Sequence, residues 1–197
     1  MVMDKEFGFR VMLHYTLGKD GEDPCGEIDS GDVEDYGIIY GEENAHVLPP
    51  DGPDETVDEV CVPELSYRPY AYIKKVEFAN ISNETTGEVN NTEIIEDFRD
   101  NQELNGHIEK GKEYVMKVTY SNLNSNSKDA YVIRAYIDWN HDNILEKEES
   151  QKIAIPAIGS ADNPGTVEFR WTAPDNAVLN EKLHMRVFMH YGDADSM

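Results

Sequence analysis

The residues whose types and spacing most clearly suit a chemical function form an acidic loop over residues 138–149. Calcium is a hard cation that binds roughly six to eight oxygen ligands. A known calcium-binding spacing places oxygen donors at the first, third, fifth, seventh and twelfth loop positions. In this chain those positions hold Asp138, Asn140, Asp142, Ile144 (through its main-chain carbonyl) and Glu149. The spacing therefore predicts that these five residues bind Ca²⁺.

The glycine position of this spacing holds Asn143, a residue type that tolerates the left-handed backbone of the sharp turn. The flanking segments 132–137 and 152–155 are typical of strands, so we expect the loop to connect two strands rather than two helices. The alternative is an acidic surface hairpin that matches the spacing by chance, since the chain contains 40 Asp and Glu.

A catalytic centre has little support in the sequence. Glu34 and Asp35 are adjacent acids, but neighbours on a strand point to opposite faces and cannot flank one glycosidic bond. We expect one of them to pair with Arg10 or Arg186 and the other to be solvated. No H-E-x-x-H or G-x-S-x-G motif is present. These patterns predict that the protein is not an enzyme.

Tyrosines suggest an alternative function. Tyr67, Tyr70 and Tyr72 would stack on sugar rings if exposed, which would make the chain a carbohydrate-binding accessory module with a glycan as its partner. Tyrosine on a strand is also a common core residue. A third hypothesis, the remnant of a hydrolase, requires a cleft with convergent carboxylates.

The composition limits the classes of partner. There are 17 Lys and Arg against 40 Asp and Glu, a formal net charge of −23. This balance excludes nucleic-acid binding by phosphate neutralisation and disfavours an acidic membrane surface. No apolar run reaches the length of about 18 residues that predicts insertion into a membrane. With 39% hydrophobic residues, the chain can still bury a core.

The elements that must position the loop are strands. Apolar and polar residues alternate over 114–120, 131–137 and 167–171, and turn-rich pieces separate these segments. No segment shows helical periodicity over three turns. The pattern predicts an all-β fold, an antiparallel β-sandwich of jelly-roll or immunoglobulin-like type.

Acidic residues are concentrated in one block. Residues 20–64 contain 16 Asp or Glu and no Lys or Arg, and four prolines stand between 49 and 63. Like charges and prolines favour an extended chain. We therefore predict an acidic, proline-rich linker over 42–66, preceded by terminal strands of one module over 1–41 and followed by a β-sandwich module over 67–197.

An internal repeat supports this division. Residues 9–15 match residues 185–191, with identical Arg, Val, His and Tyr. The sequence thus predicts that the second module stops before its last strand, and that residues 33–40 carry the missing strand. The segment either folds back to complete its own chain or completes a neighbouring chain by strand exchange. In either case 9–15 and 185–191 cannot occupy one position.

These motifs resemble the GEVED domain, a β-sandwich module of secreted and surface proteins of bacteria. The residues that carry the resemblance are Cys25-Gly26, Gly31-Asp32-Val33-Glu34-Asp35-Tyr36, Tyr72-Ile73 with Val76 and Phe78, Asp97-Phe98, Tyr136-Ile137-Asp138-Trp139-Asn140 and Met185-Arg186-Val187. Asp32 replaces the first Glu of the family motif, and the order of the parts along the chain differs from that of one complete module.

The resemblance also bears on the two cysteines, which by spacing alone are either one bridge or two idle thiols. It implies a disulfide between Cys25 and Cys61, an oxidising compartment, and a secreted or cell-surface location with the export signal outside this chain. We therefore expect a non-catalytic, calcium-binding spacer or adhesion module.

Overall fold

Short strands separated by turns make up the part of the chain that the structure describes. The structure is a computed structural model, and it describes residues 24–41, 61, 63–67, 71–85, 95–122, 131–155 and 164–191. The strands are β1 Glu27–Gly41, β2 Glu64–Tyr67, β3 Ala71–Phe78, β4 Ile81–Glu84, β5 Ile95–Asp97, β6 Gly106–Glu109, β7 Glu113–Asn122, β8 Tyr131–Ile137, β9 Ser150–Ile155, β10 Gly165–Thr172 and β11 Lys182–Tyr191. Two single-turn 3₁₀ helices, Gln102–Leu104 and Lys147–Glu149, complete the described elements. Within these ranges no helix is long and apolar enough to cross a membrane.

Two sheets form a sandwich, which confirms the predicted all-β class and architecture. The larger sheet has the order β2-β1-β11-β8-β9, and the short strands β5 and β6 also pair with β1. The second sheet has the order β10-β7-β3-β4. The strands β2, β5 and β6 run parallel to β1, so the larger sheet is mixed at this side rather than purely antiparallel.

Alternating burial shows why the predicted strands form. On β10, Phe169 and Trp171 are buried, whereas Glu168 and Arg170 are exposed. The buried side chains of both sheets meet in one core, whose largest members include Tyr36, Tyr40, Phe78, Tyr131 and Trp139. Strand β8 is buried along its whole length, because its outer face is also covered.

Strand β1 lies inside the larger sheet rather than at its edge. It pairs antiparallel with β11 over Gly31↔His190 to Ile39↔Lys182, and β2, β5 and β6 pair along its other side. Residues 32–41 are consequently all buried. The N-terminal acidic motif and the last strand therefore share one sheet of one chain.

The predicted segment boundaries meet the structure only in part. Strand β2 begins at Glu64, inside the predicted linker 42–66, and most of that linker lies outside the described residues. The repeat segment 9–15 also lies outside them. The three-part division and the exchange of strands between chains stay predictions.

A disulfide joins Cys25 and Cys61, as the family resemblance implies. The two Cα atoms are 5.2 Å apart and 36 positions apart in sequence. Beside the bridge, Arg186 Nη1 donates hydrogen bonds to the carbonyl oxygens of Pro24 (2.8 Å) and Cys61 (2.9 Å). The bridge therefore fixes the entry to β1 and the segment before β2 above the guanidinium of β11.

Replacement of both cysteines by serine is expected to destabilise the protein. Opening a loop of 36 residues raises the chain entropy of the unfolded state, which corresponds to a loss of up to about 4 kcal/mol in the free energy of unfolding. Urea unfolding of the wild type, with and without reductant, and of the double variant measures this loss. Equal midpoints in all three samples would contradict a stabilising bridge.

Candidate functional site

The predicted metal loop connects β8 to β9 and is fixed at both ends. At its start, the Asp138 amide donates to the carbonyl oxygen of His184 on β11 (2.9 Å). At its end, the 3₁₀ turn Lys147–Glu149 leads directly into β9. The loop therefore lies between two strands, as the sequence predicts, and its ends cannot move apart without disturbing the larger sheet.

The side chains of the first half of the loop turn inward onto its own backbone. Asp138 is fully buried, and its carboxylate accepts hydrogen bonds from the amides of Asp142 (3.2 Å) and Asn143 (2.9 Å). Asn140 Oδ1 accepts from the Asp142 amide (3.0 Å), and Asp142 Oδ1 accepts from the Ile144 amide (2.9 Å). Three of the four predicted side-chain ligands thus face one tight turn.

Glu149 closes the loop from its other end. Its Oε1 accepts from the amides of Trp139 (2.8 Å) and Asn140 (3.3 Å), so the last predicted ligand lies against the first residues of the loop. Burial and, to a lesser degree, the nearby charge of Asp138 outweigh the lowering effect of these amides and raise the pKa of Glu149 to about 7. Two carboxylates that face each other in this way repel, which is the situation that a divalent cation relieves.

Two residues of the loop adopt left-handed backbone conformations. Asn143 has a φ of 64° and His141 a φ of 56°. Asn143 occupies the glycine position of the calcium spacing, and asparagine is among the residue types that tolerate this region. The sharp turn is therefore formed without glycine.

Apolar contacts hold the loop on the sandwich from two directions. Trp139 is buried in the main core, with its ring 6.1 Å from the rings of Tyr40 and Trp171. Leu145 is buried on the outer face of the larger sheet, in a small cluster with Val33, Tyr136 and Phe188. The loop is therefore ordered by packing as well as by its own hydrogen bonds.

A second group of acids was missed by the sequence analysis. In the described ranges one set of three acidic side chains brings a ligand atom of each within 4.8 Å of the others, namely Asp32, Glu34 and Glu96. The carboxylates of the metal loop are not gathered this closely. Asp32 and Glu34 are two positions apart on β1, which places them on one face of the strand. This spacing was the signal in the sequence that could have revealed the cluster.

The other face of β1 carries a buried ion pair. Asp35 accepts from Arg186 Nε and Nη2, both at 2.7 Å, and His184 Nε2 lies 3.2 Å from its Oδ1. Burial raises the pKa of Asp35, but the hydrogen bonds and charges of Arg186 and His184 outweigh it and hold the pKa at about 2. Glu34 faces the second sheet, so the two adjacent acids cannot flank one bond. The expectation that one of them is solvated is wrong, because Glu34 is fully buried.

The aromatic side chains of the described residues do not form an exposed row. Tyr72 is 8% exposed, and the large hydrophobic side chain that stands out in solvent among the described residues is that of Ile144, at 60%. Tyr70 lies outside the described residues, and the side chain of Tyr67 is not described either. The described part of the sandwich therefore has no row of exposed aromatic rings for stacking on sugars.

The C-terminal part of the chain matches a known protein family. Residues 132–197 match the GEVED domain. The family resemblance predicted from the motifs is thus confirmed over this segment. No curated protein and no solved structure gives a match.

The GEVED match covers β8 from its second residue, the loop 138–149, β9, β10 and β11. Its strand β11 pairs with β1, which carries the Gly31–Tyr36 motif that resembles the family's name motif. GEVED is a small β-rich module found in extracellular proteins, and the Cys25–Cys61 disulfide is typical of oxidising compartments.

Removal of one partner of the Asp35–Arg186 pair is expected to destabilise the fold strongly. Asp35→Asn or Arg186→Met each leaves the other charge buried without its partner, a loss of about 3 to 5 kcal/mol in the free energy of unfolding. The exposed pair Glu113–Arg170 provides the control, since Arg170→Met removes a surface contact worth at most about 1 kcal/mol. Urea unfolding of the three variants measures the difference, and equal losses at the two arginines would argue against the buried pair.

Proposed function

We propose that this chain is a non-catalytic, calcium-binding β-sandwich module of an exported bacterial surface or secreted protein, where it acts as a spacer or adhesion domain. The observation that carries the proposal is the convergence of Asp138, Asn140, Asp142 and Glu149 on one loop. The GEVED match and the disulfide support the extracellular part of the proposal.

The donor set fits calcium by its chemistry. It offers three carboxylates, one amide oxygen and the carbonyl of Ile144, all of them hard oxygen donors, and no histidine or cysteine ligand that would favour zinc. Calcium would supply a positive charge between Asp138 and Glu149, whose carboxylates repel each other. Its effect would be structural, because the residues of the loop already use their oxygens to shape the turn.

The position of the loop explains how an ion would stabilise a spacer. Trp139 inserts into the main core, and Leu145 covers the outer face above Val33 of β1. An ion that holds the two ends of the loop together therefore also holds both of these side chains in place. A module stabilised in this way resists unfolding in the calcium-rich surroundings of a cell surface.

The carbohydrate-binding alternative is weaker. It requires aromatic rings in solvent beside polar groups, and the described aromatic side chains are all buried or partly buried. A glycan array remains the direct assay for this alternative.

Calcium is expected to stabilise the wild type and not the Asp138→Ala variant. Binding to the folded state alone raises the free energy of unfolding by about 2.7 kcal/mol at a hundredfold excess of the ion over Kd. Thermal melts in calcium and in chelator, together with titration calorimetry, measure the effect. Asp175→Ala, in an exposed turn remote in sequence from the loop, is the matched control and should respond like the wild type.

The opposite result is equally clear. A wild-type melt that is the same in calcium and in chelator, with no heat of binding, would exclude the site. The same calcium response in Asp138→Ala as in wild type would place the ion elsewhere on the chain.

A further inference from the structure

Glu34 is a fully buried acid between the two sheets. It lies on the inner face of β1, next to Asp32, which is 4% exposed, and near Glu96 of β5. A buried carboxylate normally has a cation or several hydrogen-bond donors beside it. The guanidinium of Arg186 does not serve Glu34, because it bonds Asp35 on the other face of the strand.

The hydrogen bonds around Glu34 require one more proton than the neighbouring hydroxyl groups carry. Asn83 Nδ2 donates to Tyr36 Oη (3.0 Å), and the single proton of Tyr36 goes to Glu34 Oε2 (2.7 Å). On the other side, Thr85 Oγ1 lies 2.6 Å from the carbonyl oxygen of Ile73 and 3.2 Å from Glu34 Oε1. A carbonyl only accepts, so the single proton of Thr85 belongs to the short bond with Ile73. The contact between Glu34 Oε1 and Thr85 Oγ1 is then a hydrogen bond only if Glu34 supplies the proton.

Asp32 differs from Glu34 in its donors. Its two oxygens accept from the backbone amides of Ile73 (2.8 Å) and Val33 (3.1 Å). These two donors suit an ionised carboxylate. Glu34, by contrast, accepts from the hydroxyl of Tyr36 and faces the hydroxyl of Thr85, whose own proton goes to Ile73. Of the two buried acids, Glu34 is therefore the one that holds the proton.

The charges that face Glu34 have the same sign as its own ionised form. Asp32 of β1 and Glu96 of β5 both disfavour its ionisation.

The second sheet contributes Asn83, Thr85 and the carbonyl of Ile73, which are uncharged. Glu84 alternates away from this face of β4, and Lys75 of β3 pairs with Glu77 at 2.8 Å. Lys74, also on β3, is not among the charges that act most strongly on Glu34. From β11, the residues beside Glu34 on this face are the apolar Val187, Met185 and Met189.

We propose that Glu34 is protonated at neutral pH and that its proton links β1 to β3 and β4, so that the acidic strand is locked across the sandwich by a hydrogen bond that is lost at alkaline pH. The chain of donors runs from Asn83 through Tyr36 to Glu34, and from Glu34 through Thr85 to Ile73. It crosses from the second sheet to the first and back. The proposal concerns the structure of the module and does not depend on calcium binding by the loop 138–149.

The direction of the pH dependence follows from linkage. Burial and the charge of Asp32 raise the pKa of Glu34 well above its ordinary value of 4.5, and burial raises that of Asp32 to about 7. A group whose pKa is raised by folding stabilises the folded state most at acidic pH, below its unfolded pKa. This contribution is lost as the pH rises through the folded pKa. The lock therefore weakens towards alkaline pH.

Urea unfolding in chelator, from about pH 5 to pH 9, tests the proposal in the full chain. Between the pKa of Glu34 in the unfolded chain and its higher pKa in the fold, Glu34 is protonated in the folded state but ionised in the unfolded state. In this pH range its contribution should raise the unfolding constant of the wild type by up to about tenfold for each pH unit. Glu34→Gln keeps a donor and an acceptor at the same positions without a charge. It should therefore remove the part of this dependence that Glu34 contributes, leave the part that Asp32 contributes, and exceed the wild type in stability at alkaline pH. Glu84→Gln, on the opposite face of β4, should follow the wild type.

A direct measurement avoids reliance on the variant's folding. The ¹³C shift of the Glu34 carboxyl carbon in the wild type should report the protonated acid at pH 7 and titrate above it. Titration near the ordinary value of 4.5, or an unchanged pH profile in Glu34→Gln, would overturn the proposal. Stabilisation of Asp138→Ala by added Ca²⁺ or Mg²⁺ at alkaline pH, lost when Glu34→Gln is added, would also overturn it, because a cation rather than a proton would then neutralise these acids.

Discussion

Strand β1 buries Asp32, Glu34 and Asp35 inside a sandwich, and the surrounding structure has to compensate these acids. A buried carboxylate without a partner destabilises a fold by several kcal/mol, which is comparable to the whole stability of a domain (about 5 to 15 kcal/mol). The strand cannot avoid the problem by lying at an edge, since β11 pairs along one side and β2, β5 and β6 along the other. Its neighbours must therefore supply cations, donors or protons at fixed positions.

The two faces of β1 meet this constraint in different ways. On the outer face Arg186 binds Asp35 with two hydrogen bonds and also donates to the carbonyls of Pro24 and Cys61. One guanidinium thus connects the acidic strand, the last strand and the disulfide. On the inner face the backbone amides, Tyr36 and Thr85 serve the acids without a cation.

The pH dependences of the two faces have opposite signs. Asp35, with a pKa of about 2 in the fold, stabilises the protein above its unfolded value of 3.8, and this stabilisation is lost as the pH falls towards 2. Asp32, with a pKa of about 7, favours the fold at acidic pH and loses that effect as the pH rises. The strand as a whole is therefore best accommodated between these limits.

The sequence predicted the positions of several strands but not the complete burial of their acidic residues. Strands β7, β8 and β10 follow the predicted segments, because apolar residues recur with a period of two along each of them. The burial itself alternates on β7 and β10, whereas β8 is buried throughout. Residues 33–40 were predicted as a strand, and Arg186 was one of the two partners expected for Glu34 or Asp35, but the density of acids around them suggested that the other acid is solvated. A local count of charges does not reveal that Glu34 is fully buried as well. The position of the loop 138–149 between two strands was predictable because its acidic residues lie within one short segment, while metal binding there stays a prediction. Its anchoring by Trp139 and Leu145 depends on strands that only the fold brings together.

The copy of the internal repeat that the structure describes meets the same constraint. Residues 9–15 and 185–191 share Arg, Val, His and Tyr, and in the copy that the structure describes three of these positions contribute to the pairing with β1. Arg186 neutralises Asp35, Val187 lies in the core opposite Glu34, and the ring of His190 stacks on Phe188 at 5.3 Å. A strand that pairs with this acidic motif must bring an arginine to the position opposite Asp35. In the copy that the structure describes, the arginine of the repeat is therefore the residue that the burial of Asp35 requires.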